Sequence, residues 1–176
     1  MAEPIRPLAG LRVLELPGVA PMFCGKLFAD LGAEVVKVES PAGDDTRTWS
    51  PPLRDGISTY YHGVNRNKRS VALDLRSSEG QAAARALALQ ADVLIENFKP
   101  GTLEGWGLGW DALHAANPKL IMLRISGFGQ TGPYRDQPGF GAIGEPMRRM
   151  RYMTGYPDRA PVRVGISIGD SIAAMF

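Results

Sequence analysis

The chain has little of the chemistry that most enzymes use at their reactive centres. Cysteine occurs once, at Cys24, and histidine twice, at His62 and His114, far apart in the sequence. A single cysteine excludes an internal disulfide, and a cysteine in an apolar stretch is more often a buried thiol than a nucleophile. Isolated histidines supply neither the spaced ligands of a zinc site nor the base of a serine hydrolase. By elimination we expect no metal, and a carboxylate as the reactive group.

Long apolar segments are also missing. No stretch reaches the length of a membrane span, and the first residues have no apolar run of signal-peptide length. The 20 basic and 18 acidic residues give a net charge of +2, far short of the footprint of a nucleic-acid-binding protein. We therefore expect a cytoplasmic protein that binds neither membrane nor nucleic acid. The 44% of hydrophobic residues suffice for one substantial core.

Glycine-rich nucleotide-binding patterns are incomplete. Residues 127–132 match the G-x-G-x-x-G of dinucleotide-binding folds. In those folds the third glycine packs inside a starting helix, whereas Pro133, Pro138 and Gly139 predict a continuing loop here. The first strand-to-helix turn, residues 17–21, lacks the glycine pattern as well, and no Walker lysine is present. A dinucleotide fold and a P-loop are therefore disfavoured.

The segments that are present alternate between strand and helix, with one long loop. The alternation indicates an α/β fold with a parallel sheet and right-handed crossovers. The spacing Ser78 to Gln81 is that of a capping box, which predicts the start of a helix there. Apolar runs predict strands over residues 11–16, 33–39, 71–75, 92–96 and 120–125. Helical spacing of apolar residues predicts helices over residues 22–31, 78–90 and 110–116. Residues 40–58 are rich in proline, glycine and aspartate, which predicts the long loop.

Two segments are candidates for binding a ligand. Open parallel sheets bind ligands at the carboxyl ends of their strands, and the strand over residues 92–96 leads directly into residues 97–99. A second candidate is the basic turn that contains Arg66, Lys68 and Arg69. Its basic side chains suit phosphates. A solvated surface turn is the alternative.

One carboxylate near the end of the sequence follows an extended segment and precedes a predicted helix. Gly169 and Asp170 separate residues 162–168 from the apolar residues 172–176. An aspartate in this position is commonly only a helix N-cap. A carboxylate that is desolvated and fixed at the start of a helix can instead attack a thioester, and a glycine beside it allows close approach. Asp170 is therefore the candidate nucleophile.

Seven short motifs occur in the order in which class III CoA-transferases have them. They are residues 7–16, 29–39, Gly43-Asp44 with Arg47, 67–70, 96–101, 126–129 and Gly169-Asp170. The chain resembles this family, which includes formyl-CoA and carnitine CoA-transferases and, by descent, α-methylacyl-CoA racemases. The resemblance implies a Rossmann-like open parallel sheet with helices on both faces. Residues 1–176 would be the N-terminal part of the large CoA-binding domain, without the small domain and the C-terminal return.

The resemblance also implies a chemistry. Asp170 would hold CoA as a thioester while CoA passes from an acyl-CoA to a small carboxylic or dicarboxylic acid. The full-length protein would be an interlocked homodimer that binds coenzyme A as part of its acyl-CoA substrate. Positions that match CoA contacts of the family are Val19, Ala20, Pro21, Leu73, Asp74, Leu75, Arg76, Asn97, Phe98 and Lys99, to which electrostatics adds Arg66, Lys68 and Arg69 for the phosphates.

The chain departs from the family pattern in several places. Phe140 occupies the position of the racemase's catalytic histidine, which favours transfer over α-proton abstraction. Gly105 stands where the formyl-CoA enzyme has an arginine. Arg148 and Arg149 replace a pair of glycines and are expected to disturb the approach to Asp170. A racemase-like isomerase and a catalytically inert fragment are the alternatives to the transferase.

Overall fold

A parallel sheet forms the centre of the molecule. The computed structural model describes residues 5–147, 149–166 and 168–176, and the side chain of Ala20 is also outside the description. The strands are β1 (Arg12–Glu15), β2 (Glu34–Glu39), β3 (Leu53–Arg54), β4 (Ile57–Ser58), β5 (Arg69–Ala72), β6 (Val93–Glu96) and β7 (Ile121–Arg124). Five of them form the sheet in the order β5-β2-β1-β6-β7, all parallel, and β3 and β4 form a separate antiparallel hairpin. The predicted α/β class is confirmed.

Helices connect these strands. They are α1 (Val19–Asp30), α2 (Thr59–Asn65), α3 (Ser78–Ala88), α4 (Thr102–Gly105), α5 (Trp110–Ala116), α6 (Gly141–Met147) and α7 (Ile168–Ala173). The sequence predicted α1, α3 and α5 and a helix beginning near Asp170, which corresponds to α7, but it did not predict α2, α4 or α6. Among the helices of the described residues, none is long and apolar enough to cross a membrane.

Both faces of the sheet are covered by apolar clusters. Successive residues of a strand point to opposite faces, so β1, β2, β6 and β7 each contribute side chains to both clusters. Val13 and Val35 belong to an apolar cluster with Cys24 of α1 and Ala174, which directly follows α7. Leu14 belongs to a second cluster that includes alanines of α3 and leucines of α4 and α5. Helices on both faces are what a parallel sheet requires to exclude water.

The loop over residues 40–58 is more ordered than the sequence indicated. It contains a 3-10 turn at Asp45–Thr48 and the β3-β4 hairpin. Buried Glu39 at the end of β2 accepts two hydrogen bonds from Arg47, at 2.7 and 2.9 Å, and one from the Tyr61 hydroxyl at 2.6 Å. The loop is therefore attached to the sheet, and Trp49 stacks on Tyr60 with ring centroids 5.3 Å apart.

Four buried charges lie where β1 and β2 end. Glu15 is fully buried and pairs with Lys68 at 2.7 Å and with Lys37 at 3.2 Å. Lys37 also pairs with Asp44 at 2.8 Å. A Cβ on Gly25 of α1 would clash with the Glu15 carboxylate, so glycine is required there. Because buried charges are tolerated only when paired, this network fixes α1 and the loop relative to the sheet.

The cap of α3 differs from the capping box that the sequence indicated. Ser77 is the N-cap, and its Oγ accepts a hydrogen bond from the Gly80 backbone N–H at 3.0 Å. Ser78 is the first helical residue, and its hydroxyl donates only to exposed Glu79. Gly80 packs against the Asp74 carbonyl with no room for a Cβ, which fixes the start of the helix.

Removal of the Ser77 hydroxyl therefore tests the assigned start of α3. We expect Ser77→Ala to lower the free energy of unfolding by about 1 kcal/mol, because one buried backbone N–H loses its acceptor. The matched change Ser78→Ala should have little effect. Urea unfolding followed by circular dichroism measures both. Equal losses, or a larger loss for Ser78→Ala, would contradict the assigned cap.

Candidate functional site

Three of the segments expected to bind CoA lie at the carboxyl edge of the sheet. Residues 19–21 follow β1, residues 73–76 follow β5, and residues 97–99 follow β6. The strand order reverses between β1 and β6, and such a switch point forms a ligand crevice in open α/β sheets. Gly18 and Asn97 meet there, since a Cβ on Gly18 would lie 2.8 Å from the Asn97 Cβ. Gly18 also has φ 151°, which side-chain-bearing residues rarely adopt.

The turn after β6 is held by hydrogen bonds on both sides. The Asn97 side-chain amide donates to the Ile125 carbonyl at 2.6 Å, and fully buried Glu96 accepts from the Phe98 backbone N–H at 2.6 Å. Burial raises the pKa of Glu96, whereas its bonds to Arg124 and Phe98 lower it. The Phe98 ring packs edge-on against Trp106 with centroids 5.2 Å apart, and Lys99 is exposed beside it.

The side chains of the residues after β5 are used in core packing or in a surface ion pair. The Leu75 side chain is buried in the core, and Leu73 packs against the same cluster. Asp74 and Arg76 form a surface ion pair at 3.0 Å. The predicted strand over residues 71–75 is shifted in the structure. β5 begins at Arg69, which pairs with Val36 of β2, and it ends at Ala72.

The basic turn lies elsewhere. Arg66 binds Asp30, the last residue of α1, through two hydrogen bonds of 2.9 and 2.7 Å, and Arg69 binds Glu34 at the start of β2 at 2.7 Å. Both partners lie towards the amino edge of the sheet, opposite residues 97–99. Lys68 is buried on Glu15, and burial lowers its pKa to about 8. Arg66 and Arg69 thus lie away from the carboxyl edge, whereas Lys68 reaches the end of β1 but is buried and paired there. These placements do not support the expected phosphate contacts.

Asp170 lies inside a short helix and not before it. It is the third residue of α7, so it is not the N-cap that the alternative required. α7 contacts both α1 and α6. The Asp170 carboxylate faces the first residue of α6, because a Cβ on Gly141 would lie 2.9 Å from Oδ2 of Asp170. The segment before α7 was expected to be extended, and over residues 161–164 it is irregular.

The surroundings of Asp170 make its charge costly. Burial raises the pKa of the Asp170 carboxyl above its ordinary value, and the negative charge of Glu145 raises it further, whereas Arg163 lowers it. Burial and the charge of Asp170, with Asp44, raise the pKa of the Tyr60 hydroxyl. A carboxylate with these neighbours is destabilised in its ionised form, which favours reaction at an electrophile.

Glu145 is the least satisfied charge in the described chain. It is 3% exposed, and neither of its carboxylate oxygens has a hydrogen-bond donor among the described residues. The Nε atoms of Arg163 and Arg151 approach it only to 3.5 and 3.8 Å. Buried charges normally have hydrogen-bond partners.

The expected effect of Arg148 and Arg149 can be followed for one of them. Arg148 lies outside the described residues. Arg149 has φ 60°, in the left-handed region, and its exposed side chain lines a cavity of about 590 Å³ with Pro146, Arg151, Tyr152 and Pro161. Asp170 is not among the residues that line this cavity.

Four residues near Asp170 were missed as site residues in the sequence. Gly141 and Glu145 belong to α6, which no periodic pattern marks in the sequence, and Arg163 lies in the irregular segment before α7. Tyr60 lies in α2, which the sequence did not predict. The one signal that was available is a lone glutamate between glycines and arginines. No group of histidine, cysteine or acidic side chains suited to a metal ion is found in the part of the chain that the structure describes.

Comparison with known proteins gives one family. The model of CoA-transferase family III matches residues 8–176. The chain is 57% identical to the succinyl-CoA–D-citramalate CoA-transferase of Chloroflexus aurantiacus, over 99% of this chain and 44% of that protein. It is 44% identical to the succinate–glutarate CoA-transferase of Agrobacterium fabrum, over 97% of this chain and 44% of that protein.

A solved structure gives the same result. A CAIB/BAIF family protein from Brucella suis superposes with a TM-score of 0.90 at 43% identity, and the match covers 98% of this chain and 49% of that one. The chain thus spans less than half the length of these relatives. With a family model over almost its entire length, the chain belongs to CoA-transferase family III.

Proposed function

We propose that this chain supplies the CoA-binding edge and the nucleophile of an enzyme that exchanges CoA between dicarboxylic acids. In this proposal residues 1–176 are the N-terminal part of the CoA-binding domain, and the protein acts in the cytoplasm as a homodimer. The dicarboxylic substrates are inferred from relatives named for succinyl-CoA, D-citramalate, succinate and glutarate. The single observation that carries the proposal is the partly buried Asp170 held against glycine and beside a second acid.

The proposed reaction has four steps at one carboxylate. An oxygen of Asp170 attacks the thioester carbonyl, the C–S bond breaks, and CoA thiolate leaves behind a mixed anhydride. The thiolate attacks the aspartyl carbonyl and releases the first acid, which gives an aspartyl-CoA thioester. The acceptor carboxylate then displaces the thiolate to form a second anhydride. Attack of the thiolate on its acyl carbonyl releases the new acyl-CoA and restores Asp170.

The described residues have distinct tasks in this scheme. Val19, Ala20 and Pro21 form the first turn of α1. The backbone N–H groups of Val19 and Ala20 lack helical partners and suit an anion, and Pro21, which has no N–H, fixes the backbone of this turn. Asn97 orients the turn of Phe98 and Lys99, and Lys99 supplies an exposed positive charge. Exclusion of water from Asp170 protects both anhydride and thioester from hydrolysis.

The aspartyl thioester can be trapped. After incubation of the whole protein with succinyl-CoA, we expect a CoA adduct on Asp170 that hydroxylamine removes, because thioesters react readily with this nucleophile. Peptide mass mapping locates it. Asp170→Asn should abolish adduct and turnover, and Asp158→Asn, at an exposed acid, should leave both intact. Full turnover in Asp170→Asn would defeat the assignment.

Gly141→Ala tests the contact that positions the carboxylate. The added Cβ would lie 2.9 Å from Oδ2 of Asp170 and must displace it. Because small displacements of reacting groups are costly, we expect kcat to fall by about 10- to 100-fold. Gly144→Ala is the matched control on the same helix, since its Cβ would meet no atom within 4 Å. Equal rates in the two variants would mean that the contact has no role.

The pH dependence of the reaction tests the influence of Glu145. The nucleophile must be ionised, so the rate falls as the pH drops through the pKa of Asp170. Removal of a negative charge that raises this pKa should shift the acidic limb of the pH–rate profile of Glu145→Gln to lower pH. In Arg163→Gln a positive charge that lowers the pKa of Asp170 is lost, so the acidic limb should shift to higher pH. An unchanged limb in both variants would show that neither charge acts on the nucleophile.

A further inference from the structure

We propose that Arg163 determines substrate specificity by binding the distal carboxylate of the dicarboxylic substrate whose reacting end lies at Asp170. The inference rests on the proposed function and adds the group that distinguishes dicarboxylic from monocarboxylic acids. It follows from the position of Arg163 and Asp170 beside the same turn of α6.

The first step is geometric. Gly141 and Glu145 are four residues apart on α6 and therefore lie on one face of the helix. Gly141 contacts the Asp170 carboxylate, and a Cβ on Gly169 would lie 3.6 Å from Cγ of Glu145. The Nε of Arg163 is 3.5 Å from the other end of that glutamate. Glu145 thus holds the guanidinium near Asp170.

The second step is that Arg163 has donors to spare. A separation of 3.5 Å is an ion pair and too long for a good hydrogen bond, and both Glu145 oxygens lack donors among the described residues. The Arg163 side chain is 49% exposed. A guanidinium has five N–H groups and binds a carboxylate through two of them. Arg163 can therefore donate hydrogen bonds to a substrate carboxylate without first losing a short hydrogen bond to Glu145.

Arg151, the other arginine on Glu145, is committed elsewhere. Its Nη2 donates to the Ala142 carbonyl at 2.9 Å, and its side chain is only 29% exposed. It therefore has a structural contact within α6, and no such contact of Arg163 is found among the described residues. Arg151 also lines the cavity beside Arg149, but Arg163 is the more exposed of the two arginines and is the better candidate to meet a ligand at Asp170.

The third step is energetic. A dicarboxylic acid that reacts at one end brings its second negative charge into a site that already holds Asp170 and Glu145. An unpaired charge there is costly, so a cation is needed to balance it. A site that pairs this charge favours the dicarboxylic acid, because an acid without the second carboxylate gains no contact with the guanidinium.

The test compares acids with and without the distal carboxylate. In the whole protein, at a pH above the acidic limb of the pH–rate profile, Arg163→Gln should lower kcat/KM for succinyl-CoA about 10- to 100-fold, with the loss mainly in KM. Under the same conditions kcat/KM for propionyl-CoA should change by less than about threefold. Arg163→Lys should recover part of the loss. The control Arg159→Gln, at an exposed arginine over the Tyr156 ring, should change neither.

The outcomes separate this inference from the proposed function. Equal losses for both thioesters would show a structural role, and no loss for either would show that Arg163 does not contact substrate; each overturns the inference. A calorimetric titration of the CoA-loaded protein with succinate and with propionate provides a readout that does not need turnover. If the unmodified protein transfers no CoA, the proposed function fails, and selective loss of succinate binding in Arg163→Gln still supports the inference.

Discussion

The contact between α6 and Asp170 is the constraint on which the site depends. The helix approaches the carboxylate closely because residue 141 has no side chain, and Gly169 packs against the same turn of α6. This contact partly buries Asp170 and brings a second acid, Glu145, close enough to oppose its ionisation. Geometry and electrostatics at the candidate nucleophile therefore have one origin, which is close packing of two short helices through glycine.

Two groups of buried charges have different characters. Glu15, Lys37, Lys68 and Asp44 are paired at 2.7 to 3.2 Å and fix the sheet, α1 and the loop. Glu145 has no donor within hydrogen-bond distance among the described residues, although two arginines are near. Every charge of the first group has a close ion-pair partner, as in a structural network, whereas buried groups without such partners are more often found where a molecule binds or reacts.

The sheet was predictable because its strands have strong local signals. β1, β2, β6 and β7 are short apolar runs whose alternation between the two cores follows from the period of two. The sequence placed the cap of α3 at Ser78, because Ser78 and Gln81 have the spacing of a capping box. In the structure the cap is Ser77, which accepts a hydrogen bond from the Gly80 N–H, and the spacing alone does not distinguish the two serines. α6 was missed because glycine and proline in Gly141–Met147 mask any helical pattern.

The candidate site combines predicted and unpredicted residues for a related reason. Motif order predicted Asp170 and residues 97–99, whose roles stay predictions, whereas charge alone indicated the basic turn. The topology places Arg66 and Arg69 at the other edge of the sheet, beside acids contributed by α1 and β2. Which cations are free for a ligand depends on pairing across 30 or more residues, and local sequence does not contain that information. Glu145 and Arg163 become candidates only when their mutual distance is known.

A crystal structure of the whole protein as Asp170→Asn with succinyl-CoA bound tests directly whether Asp170 is the nucleophile. We expect the thioester carbonyl carbon within about 3.5 Å of the residue 170 side chain, with the CoA moiety over the carboxyl edge of the sheet. A thioester bound away from residue 170, with another nucleophile at that distance, would contradict it.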